Sequence, residues 1–122
     1  MTLWIHPFIN MDCPSWDQAS RYVVRDAEGR PALTSWWQGA MAGYFDLSRP
    51  AAARWWTGRV LQLRDDYGVD SFKIDAGESN WLPPCYALDD VPVDQQPNGF
   101  SQAFVRSHGI SFYLLSVQSI MS

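Results

Sequence analysis

The sequence lacks several features that would point to common classes of function. It has only two cysteines, Cys13 and Cys85, far apart, with no CxxC spacing and no neighbouring histidine. That pattern indicates neither a zinc site nor a redox pair, and it leaves a single disulfide open. No stretch approaches the roughly 18 consecutive apolar residues of a membrane span, so we predict no membrane contact within this chain.

Basic residues are also few. Nine Lys and Arg stand against 13 Asp and Glu, which gives a formal net charge of −4. Because no basic run or basic helix face is present to neutralise phosphates, a nucleic-acid partner is not predicted. Residues 1–10 lack the basic segment and apolar run of a signal peptide, so the chain carries no address of its own. Its oligomeric state is equally unreadable from the sequence.

What the sequence does contain is typical of a folded domain rich in tryptophan. Of the 122 residues, 47% are hydrophobic and 18% are charged, which is typical of a globular protein. The length suits one small domain, about half of the roughly 250 residues of a (β/α)8 barrel. Core packing explains most of the seven tryptophans. The neighbours Trp36 and Trp37 cannot both point into one core from an extended chain, so one of them is predicted to face a cleft.

Residues 69–75 predict a short strand that ends at polar groups. In an extended chain, Phe72 and Ile74 point to one side, whereas Lys73 and Asp75 point to the other. A lysine at this spacing would hold the carboxylate ionised, since a nearby positive charge favours the charged form. An ionised carboxylate at a strand end is a candidate nucleophile.

A second strand and a helix complete the pattern. Residues 2–9 predict a strand that ends near His6, because Pro7 cannot donate to a sheet ladder. Residues 11–35 predict mainly loop. A helix is predicted to begin at Ser48, as its cap, and to stop at Gly68. The order strand, loop, helix, strand predicts a parallel crossover. The apolar stripe of the helix, predicted to be core, comprises Ala52, Trp56, Val60, Leu63 and Tyr67.

Polar residues 6–10 and 75–78 follow the two predicted strands. Ligands of parallel sheets lie at the carboxyl ends of strands, and (β/α)8 enzymes place their chemistry there. For His6, two interpretations stay open: a satisfied histidine at a strand end, or a sugar contact. Glu78 has the same ambiguity, since it can bond to backbone donors as easily as it can meet a substrate.

These motifs resemble those of glycoside hydrolase family 31, and more narrowly those of its myogenesis-regulating glycosidase-like branch. The residues that carry the resemblance are 3–10, 24–26, 36–39, 45–50 and above all 68–78. The match runs from residue 3 to about residue 106. It implies an α/β fold, a fragment of a (β/α)8 TIM barrel from the third strand to just past the fourth. It also implies a retaining α-glycosidase of carbohydrate substrates, with no metal and no cofactor.

The resemblance also implies roles for individual residues. Asp75 would be the catalytic nucleophile, and Glu78 would hold the loop that follows it. Two departures from the commoner α-glucosidase pattern, which has aspartate at position 6 and tryptophan at position 73, mean that glucose specificity does not follow. An α-galactoside or a charged sugar is as well supported. The implied substrate-binding residues are Lys73, Trp36, Trp37, His6 and Asn10.

A retaining mechanism needs a second carboxyl about 5 to 5.5 Å from the nucleophile. The family supplies it from a later strand, and no motif recommends Asp89, Asp90 or Asp94. We therefore expect a partial catalytic barrel at residues 1–106, with the nucleophile but not the acid/base, and a divergent tail at 107–122 from a truncated reading frame.

Such a piece is expected to be inactive and poorly soluble alone, because it would expose edge strands. The alternatives are a non-catalytic sugar-binding relative and an inactive truncated product. Relatives in this branch work in the secretory pathway, so the endoplasmic reticulum, Golgi, lysosome or extracellular space is the expected compartment.

Overall fold

The structure, a computed structural model, describes residues 1–107. The predicted tail therefore lies almost wholly outside the described residues. Residues 98–107 are helical. The other helices and strands are β1 (Thr2–Ile5), β2 (Phe8–Asn10), α1 (Trp16–Ala19), β3 (Thr34–Trp36), β4 (Gly39–Tyr44), α2 (Pro50–Tyr67) and β5 (Ser71–Ile74), with 3-10 turns at Ser20–Tyr22, Ser79–Trp81 and Val93–Gln95.

Strands β1 and β5 form a parallel pair joined through helix α2. Thr2 lies opposite Ser71 and Ile5 lies opposite Ile74. The ladder continues past the strand ends, because the Asp75 backbone N–H donates to the Ile5 carbonyl at 3.1 Å. This pairing confirms the predicted parallel crossover, and it sets the ends of the two strands side by side.

The segment between β1 and α2 is not the loop that the sequence predicts. It contains a three-stranded antiparallel sheet in the order β2, β4, β3. Strand β4 is built mostly of glycine and alanine, which have little intrinsic preference for strands. Close packing explains why they are there: a Cβ added at Gly43 would lie 2.5 Å from the Val23 side chain. Tertiary contact rather than local propensity therefore makes this strand.

Two clusters of buried residues form the core. The first lies between α2 and the parallel strands, and Phe72 and Ile74 belong to it or pack against it. Lys73 and Ser71 are exposed on the opposite side of β5, so the predicted alternation is confirmed. The second cluster includes the buried members Phe8, Trp36, Ala42, Tyr44, Ala76, Leu88, Val91 and Phe100.

The beginning of α2 differs from the prediction. Arg49, not Ser48, is the N-cap residue, and no side chain caps the helix. Ser48 instead donates its hydroxyl to Asp46, whose side chain is buried and pairs with Arg49 at 3.4 Å. A buried carboxylate is costly unless it is hydrogen-bonded and paired. Asp46 therefore accepts the hydrogen bond of the Ser48 hydroxyl, which is then not used to cap the helix.

The apolar stripe of α2 is confirmed for most of its length. Ala52, Trp56 and Val60 are buried, and Leu63 packs against the same cluster. Tyr67, in the last turn, is 70% exposed, so the prediction that it belongs to the core is wrong. The helix ends as predicted, with Gly68 in the left-handed region at a φ of 64°.

Two glycines of this helix should respond in opposite directions to alanine. An added Cβ would meet no atom within 4 Å at Gly58 or at Gly68. Gly58 lies inside the helix, so Gly58→Ala should raise the free energy of unfolding by about 0.5 to 1 kcal/mol. Gly68 has a positive φ, so Gly68→Ala should lower it by about 1 kcal/mol. Urea unfolding of both variants measures the difference, and equal shifts would contradict the assigned helix end.

Candidate active site

The carboxylate of Asp75 lies directly after β5 and meets three donors. Its Oδ2 accepts a hydrogen bond from Trp4 Nε1 at 2.9 Å. The same oxygen lies 3.6 Å from Lys73 Nζ. Its Oδ1 accepts from the backbone N–H of Ala76 at 2.9 Å. The side chain of Asp75 is still 41% exposed. The carboxylate is therefore accessible to a ligand although it accepts these hydrogen bonds.

These donors act on the protonation state of Asp75. The Trp4 hydrogen bond, then the Ala76 backbone bond, and then Lys73 lower the pKa of the Asp75 carboxyl, because each favours the charged form. Lys73 is the only lysine in the sequence. Its side chain is 70% exposed, so its charge is largely solvated. At neutral pH, Asp75 is an ionised carboxylate.

Aromatic rings form a wall beside this carboxylate. The Trp4 ring lies 4.8 Å from that of His6 and 6.2 Å from that of Trp37. Trp37 continues the wall to Trp81, at 5.2 Å. Trp36 is only 8% exposed whereas Trp37 is 54% exposed. The two tryptophans therefore do not both point into the core, and the exposed one is Trp37. That this ring faces a cleft stays a prediction.

His6 sits within this wall as a half-buried, neutral ring. It is flanked by Trp4 and by Trp36, whose ring lies 4.4 Å away. Its Nδ1 accepts a hydrogen bond from the backbone N–H of Phe8 at 3.3 Å, which leaves Nε2 as the protonated nitrogen. Burial lowers the pKa of His6, because the charged form is poorly solvated there. His6 therefore presents a neutral N–H donor.

Asn10 connects two strands at the far side of His6. Its Oδ1 accepts from Trp36 Nε1 at 2.8 Å, and its Nδ2 donates to the Gln38 carbonyl at 3.1 Å. Gly39 is needed for this contact, since an added Cβ would lie 2.1 Å from Asn10 Oδ1. Both ends of the amide thus fix the β3–β4 hairpin. The predicted sugar contacts of Asn10 and Trp36 stay predictions.

Tyr44 holds the loop after Asp75 through its hydroxyl group. The buried Tyr44 hydroxyl donates to the Glu78 carbonyl at 2.8 Å and lies 3.2 Å from the Ala76 carbonyl. Burial, and then the charge of Glu78, raise the pKa of Tyr44, so it stays a donor. The carboxylate of Glu78 accepts from Trp81 Nε1 at 3.3 Å. The role expected of Glu78, which is to hold the loop after the nucleophile, stays a prediction.

Ala76 has a strained backbone at this point. Its φ of 64° lies in the left-handed region, where a residue with a Cβ is disfavoured by about 1 to 2 kcal/mol. The conformation lets its N–H return to Asp75 Oδ1 and its carbonyl meet Tyr44. Strain of this kind clusters at functional sites, where the surroundings hold it in place.

Two cavities adjoin the site. One of about 490 Å³ is lined at its polar end by Trp4, His6, Asn10 and Trp36. The other, of about 500 Å³, is lined by Asp75 and Glu78 together with Phe104 of the helical residues 98–107. Lys73 and Trp37, which are also predicted site residues, line neither of these two cavities. The remaining lining of the first cavity includes apolar side chains of β1, β2 and α2, together with polar ones such as Asp12 and Arg59.

Residues 1–107 offer neither a metal site nor a membrane-spanning helix. That part of the chain has no group of three His, Cys, Asp or Glu side chains placed to hold a metal ion. It also has no helix with the length and apolar character needed to cross a membrane. Cys13 and Cys85 are both free thiols.

Sequence reasoning overlooked Trp4, Tyr44 and Trp81. A signal for Trp4 was present, because it lies two residues before His6 in an extended segment and so shares its face. Tyr44 and Trp81 offered none, since their partners are fixed by the hairpin and by the 3-10 turn after Asp75. Of the predicted residues, Lys73 and Asp75 are brought into contact, and Trp36 and Asn10 are hydrogen-bonded to each other.

Comparison with known proteins decides the family. The family model described as the TIM-barrel domain of glycosyl hydrolases family 31 matches residues 1–116. The chain belongs to glycoside hydrolase family 31. Its mixed α/β structure, with a parallel crossover, is that of a TIM-barrel-family segment.

Individual relatives agree with this family. Mouse (Mus musculus) myogenesis-regulating glycosidase is 42% identical over 86 residues, which are 68% of this chain and 12% of the mouse protein. The cycloalternan-degrading enzyme from Trueperella pyogenes, solved in complex with a covalent intermediate, is 27% identical with a TM-score of 0.68. The match covers 90% of this chain and 16% of that one.

A third relative supports the fold alone. The family 31 sulfoquinovosidase from E. rectale, solved with an aza-sugar inhibitor, has a TM-score of 0.79 at 18% identity. The match covers 94% of this chain and 17% of that one. The present chain therefore spans less than a fifth of the length of each of these three relatives.

The neutral state of His6 predicts a pH dependence of stability. Because the pKa of His6 is lower in the folded protein than in the unfolded chain, the unfolded chain binds the proton first as pH falls. His6 should therefore cost stability as pH falls below about 6.5. Urea unfolding of wild type and His6→Gln between pH 7 and pH 5 measures it. The variant should lose less stability on acidification, and parallel curves would contradict the neutral assignment.

Proposed function

We propose that this chain is the nucleophile-bearing segment of a retaining α-glycosidase. The observation that carries the proposal is the ionised Asp75 carboxylate at the carboxyl end of β5, partly exposed and hydrogen-bonded by Trp4 beside an aromatic wall. Membership of family 31 supports the reaction class. A covalent intermediate is named in the structure of the Trueperella pyogenes relative, which is what attack by a carboxylate would produce.

In the proposed reaction, an oxygen of Asp75 attacks the anomeric carbon of the sugar. Its electron pair forms the new C–O bond while the glycosidic C–O bond breaks, and the leaving oxygen keeps that pair and takes a proton from a second carboxyl group. Water then attacks the anomeric carbon of the glycosyl-enzyme and gives a proton to the second carboxyl group, which is now a carboxylate. The bond to Asp75 breaks, and the Asp75 carboxylate is released. The second carboxyl is expected from a later strand of the barrel, as in the family, and Asp75 supplies only the nucleophile.

The other predicted residues take positions consistent with sugar binding. Lys73 carries the positive charge next to Asp75, and His6 offers a neutral N–H donor. Trp37 presents an exposed ring, on which the apolar face of a sugar can stack. Trp36 and Asn10 are hydrogen-bonded to each other beside His6, and Glu78, which accepts a hydrogen bond from Trp81, would hold the loop. No cofactor is required by this chemistry.

Specificity follows from the same residues. A cation at position 73 and a neutral donor at position 6 offer donors to a ligand where the commoner α-glucosidase pattern has tryptophan and aspartate. An α-galactoside or a sugar with an acidic group is therefore proposed as readily as an α-glucoside. Lys73 would be the group that recognises an acidic substituent.

The position within the barrel and in the cell is proposed on the family resemblance. Strands β1 and β5 would be the third and fourth barrel strands, with residues 1–106 forming the barrel segment and 107–122 a divergent tail. The complete protein would act in the secretory pathway, in the endoplasmic reticulum, Golgi or lysosome, or outside the cell. A carbohydrate is its proposed partner.

Asp75→Asn in the complete protein should abolish hydrolysis of aryl α-glycosides. The amide cannot act as the nucleophile, so kcat should fall by on the order of 10⁴-fold. Asp70→Asn is the matched control, because Asp70 is 77% exposed and pairs only with the chain's N-terminus among the described ion pairs. That control should keep wild-type activity. Initial rates with a 4-nitrophenyl glycoside measure both.

A chemical rescue makes the assignment specific. Asp75→Gly with added azide should form a β-glycosyl azide, because azide takes the place of the nucleophile on the β face. Unchanged activity in Asp75→Asn would remove Asp75 from the mechanism. A wild-type protein that binds the sugar but does not hydrolyse it would instead indicate the non-catalytic sugar-binding relative.

A further inference from the structure

Trp4 reaches Asp75 from a different strand. In the parallel pair, Trp4 is the register partner of Lys73, and register partners in a parallel sheet lie side by side on one face. Both side chains converge on Asp75 Oδ2, Trp4 Nε1 at 2.9 Å and Lys73 Nζ at 3.6 Å. Only the shorter of these distances is that of a hydrogen bond.

The three donors to Asp75 differ in how far each can fix the orientation of the carboxylate. The Ala76 N–H belongs to the next residue, so it moves with the Asp75 backbone. Lys73 lies on the same strand, and its flexible side chain is 70% exposed. The Trp4 indole is a rigid ring on β1, packed 4.8 Å from the His6 ring. Of the contacts to this carboxylate within residues 1–107, the one with Trp4 therefore ties it to a second element.

We propose that Trp4 is a positioning residue for the nucleophile: its indole N–H fixes the orientation in which the Asp75 carboxylate meets the anomeric carbon. The inference rests on the proposed nucleophilic role of Asp75. The indole suits this task because it donates a hydrogen bond while staying neutral at every pH of interest, and it cannot itself take the proton from a reacting group. Its ring also fixes Trp37, at 6.2 Å, in the sugar-facing wall.

The charged and titratable groups around Asp75 are few. Lys73 lies on the same strand, His6 follows β1, Glu78 lies in the next loop, and Tyr44 bonds to that loop from β4. Of these, His6 has its pKa lowered and Tyr44 has its pKa raised. Tyr44 therefore stays protonated throughout the acidic range, whereas the lowered pKa of His6 lies closer to that of the carboxyl. A change in the acid limb of the rate profile is therefore assigned to Asp75 only when the rate of labelling of Asp75 changes with it.

Trp4→Phe in the complete protein tests the proposal, because phenylalanine keeps an aromatic ring and removes the N–H. The rate at which an activated fluoro-sugar labels Asp75 should fall by about 10- to 100-fold, the effect of losing one hydrogen bond to a charged group. The acid limb of kcat/KM should move to higher pH, whereas KM should change little. Trp16→Phe is the matched control. Trp16 begins α1 and packs against Gly43 of β4, away from Asp75, so the acid limb of this variant should not move.

A measurement without substitution covers the case in which Trp4→Phe does not fold. The ¹⁵N–¹H signal of the Trp4 indole in the wild-type protein should titrate with the Asp75 carboxyl, and Asp75→Asn should remove that titration. The proposal is overturned if the indole chemical shift does not change while Asp75 titrates. It is also overturned if Trp4→Phe has the labelling rate and the acid limb of the wild-type protein. If the fluoro-sugar labels a residue other than Asp75, the proposed function itself fails, so the two failures are distinguishable.

Discussion

Parallel pairing of β1 with β5 is the interaction on which the rest of the structure depends. It joins residues 69 positions apart, such as Thr2 and Ser71, and α2 packs across one face of the pair through Ala52, Trp56 and Val60. Once that face is buried, the period of two leaves Lys73 and Asp75 on the other face. A slip of one residue would bury the charge and expose Phe72, which makes this register strongly preferred.

The site is a carboxylate surrounded by rigid groups. Trp4 and the Ala76 backbone hold its two oxygens, and Tyr44 holds the loop behind it. Ala76 adopts a left-handed backbone that its side chain disfavours, and the buried packing of its Cβ keeps it there. Rigid groups that act before a substrate arrives need not be reorganised during a reaction, which is how preorganised sites gain their effect.

The antiparallel hairpin has a different part in the same arrangement. Strands β2, β4 and β3 leave the parallel pair just after His6 and return to it before α2. They carry Trp36 to the His6 ring, at 4.4 Å, and Tyr44 to the loop after Asp75. The segment between β1 and α2 thus adds Trp36 and Trp37 to the rings that β1 and the turn after β5 contribute. Its glycines are needed for close approach, as Gly39 shows beside Asn10.

The sequence by itself determined the parallel crossover, the end of α2 at Gly68 and the pairing of Lys73 with Asp75. The pairing of Lys73 with Asp75 and the helix end depend on short-range periodicity and on the backbone freedom of one residue. The crossover follows from the order of strand, helix and strand along the chain. Tertiary structure alone decided the contact of Trp4 with Asp75, the hairpin made of small residues, and the choice of Trp37 rather than Trp36 as the exposed ring. These features depend on strand register and on packing between segments dozens of residues apart, for which local propensity carries no information.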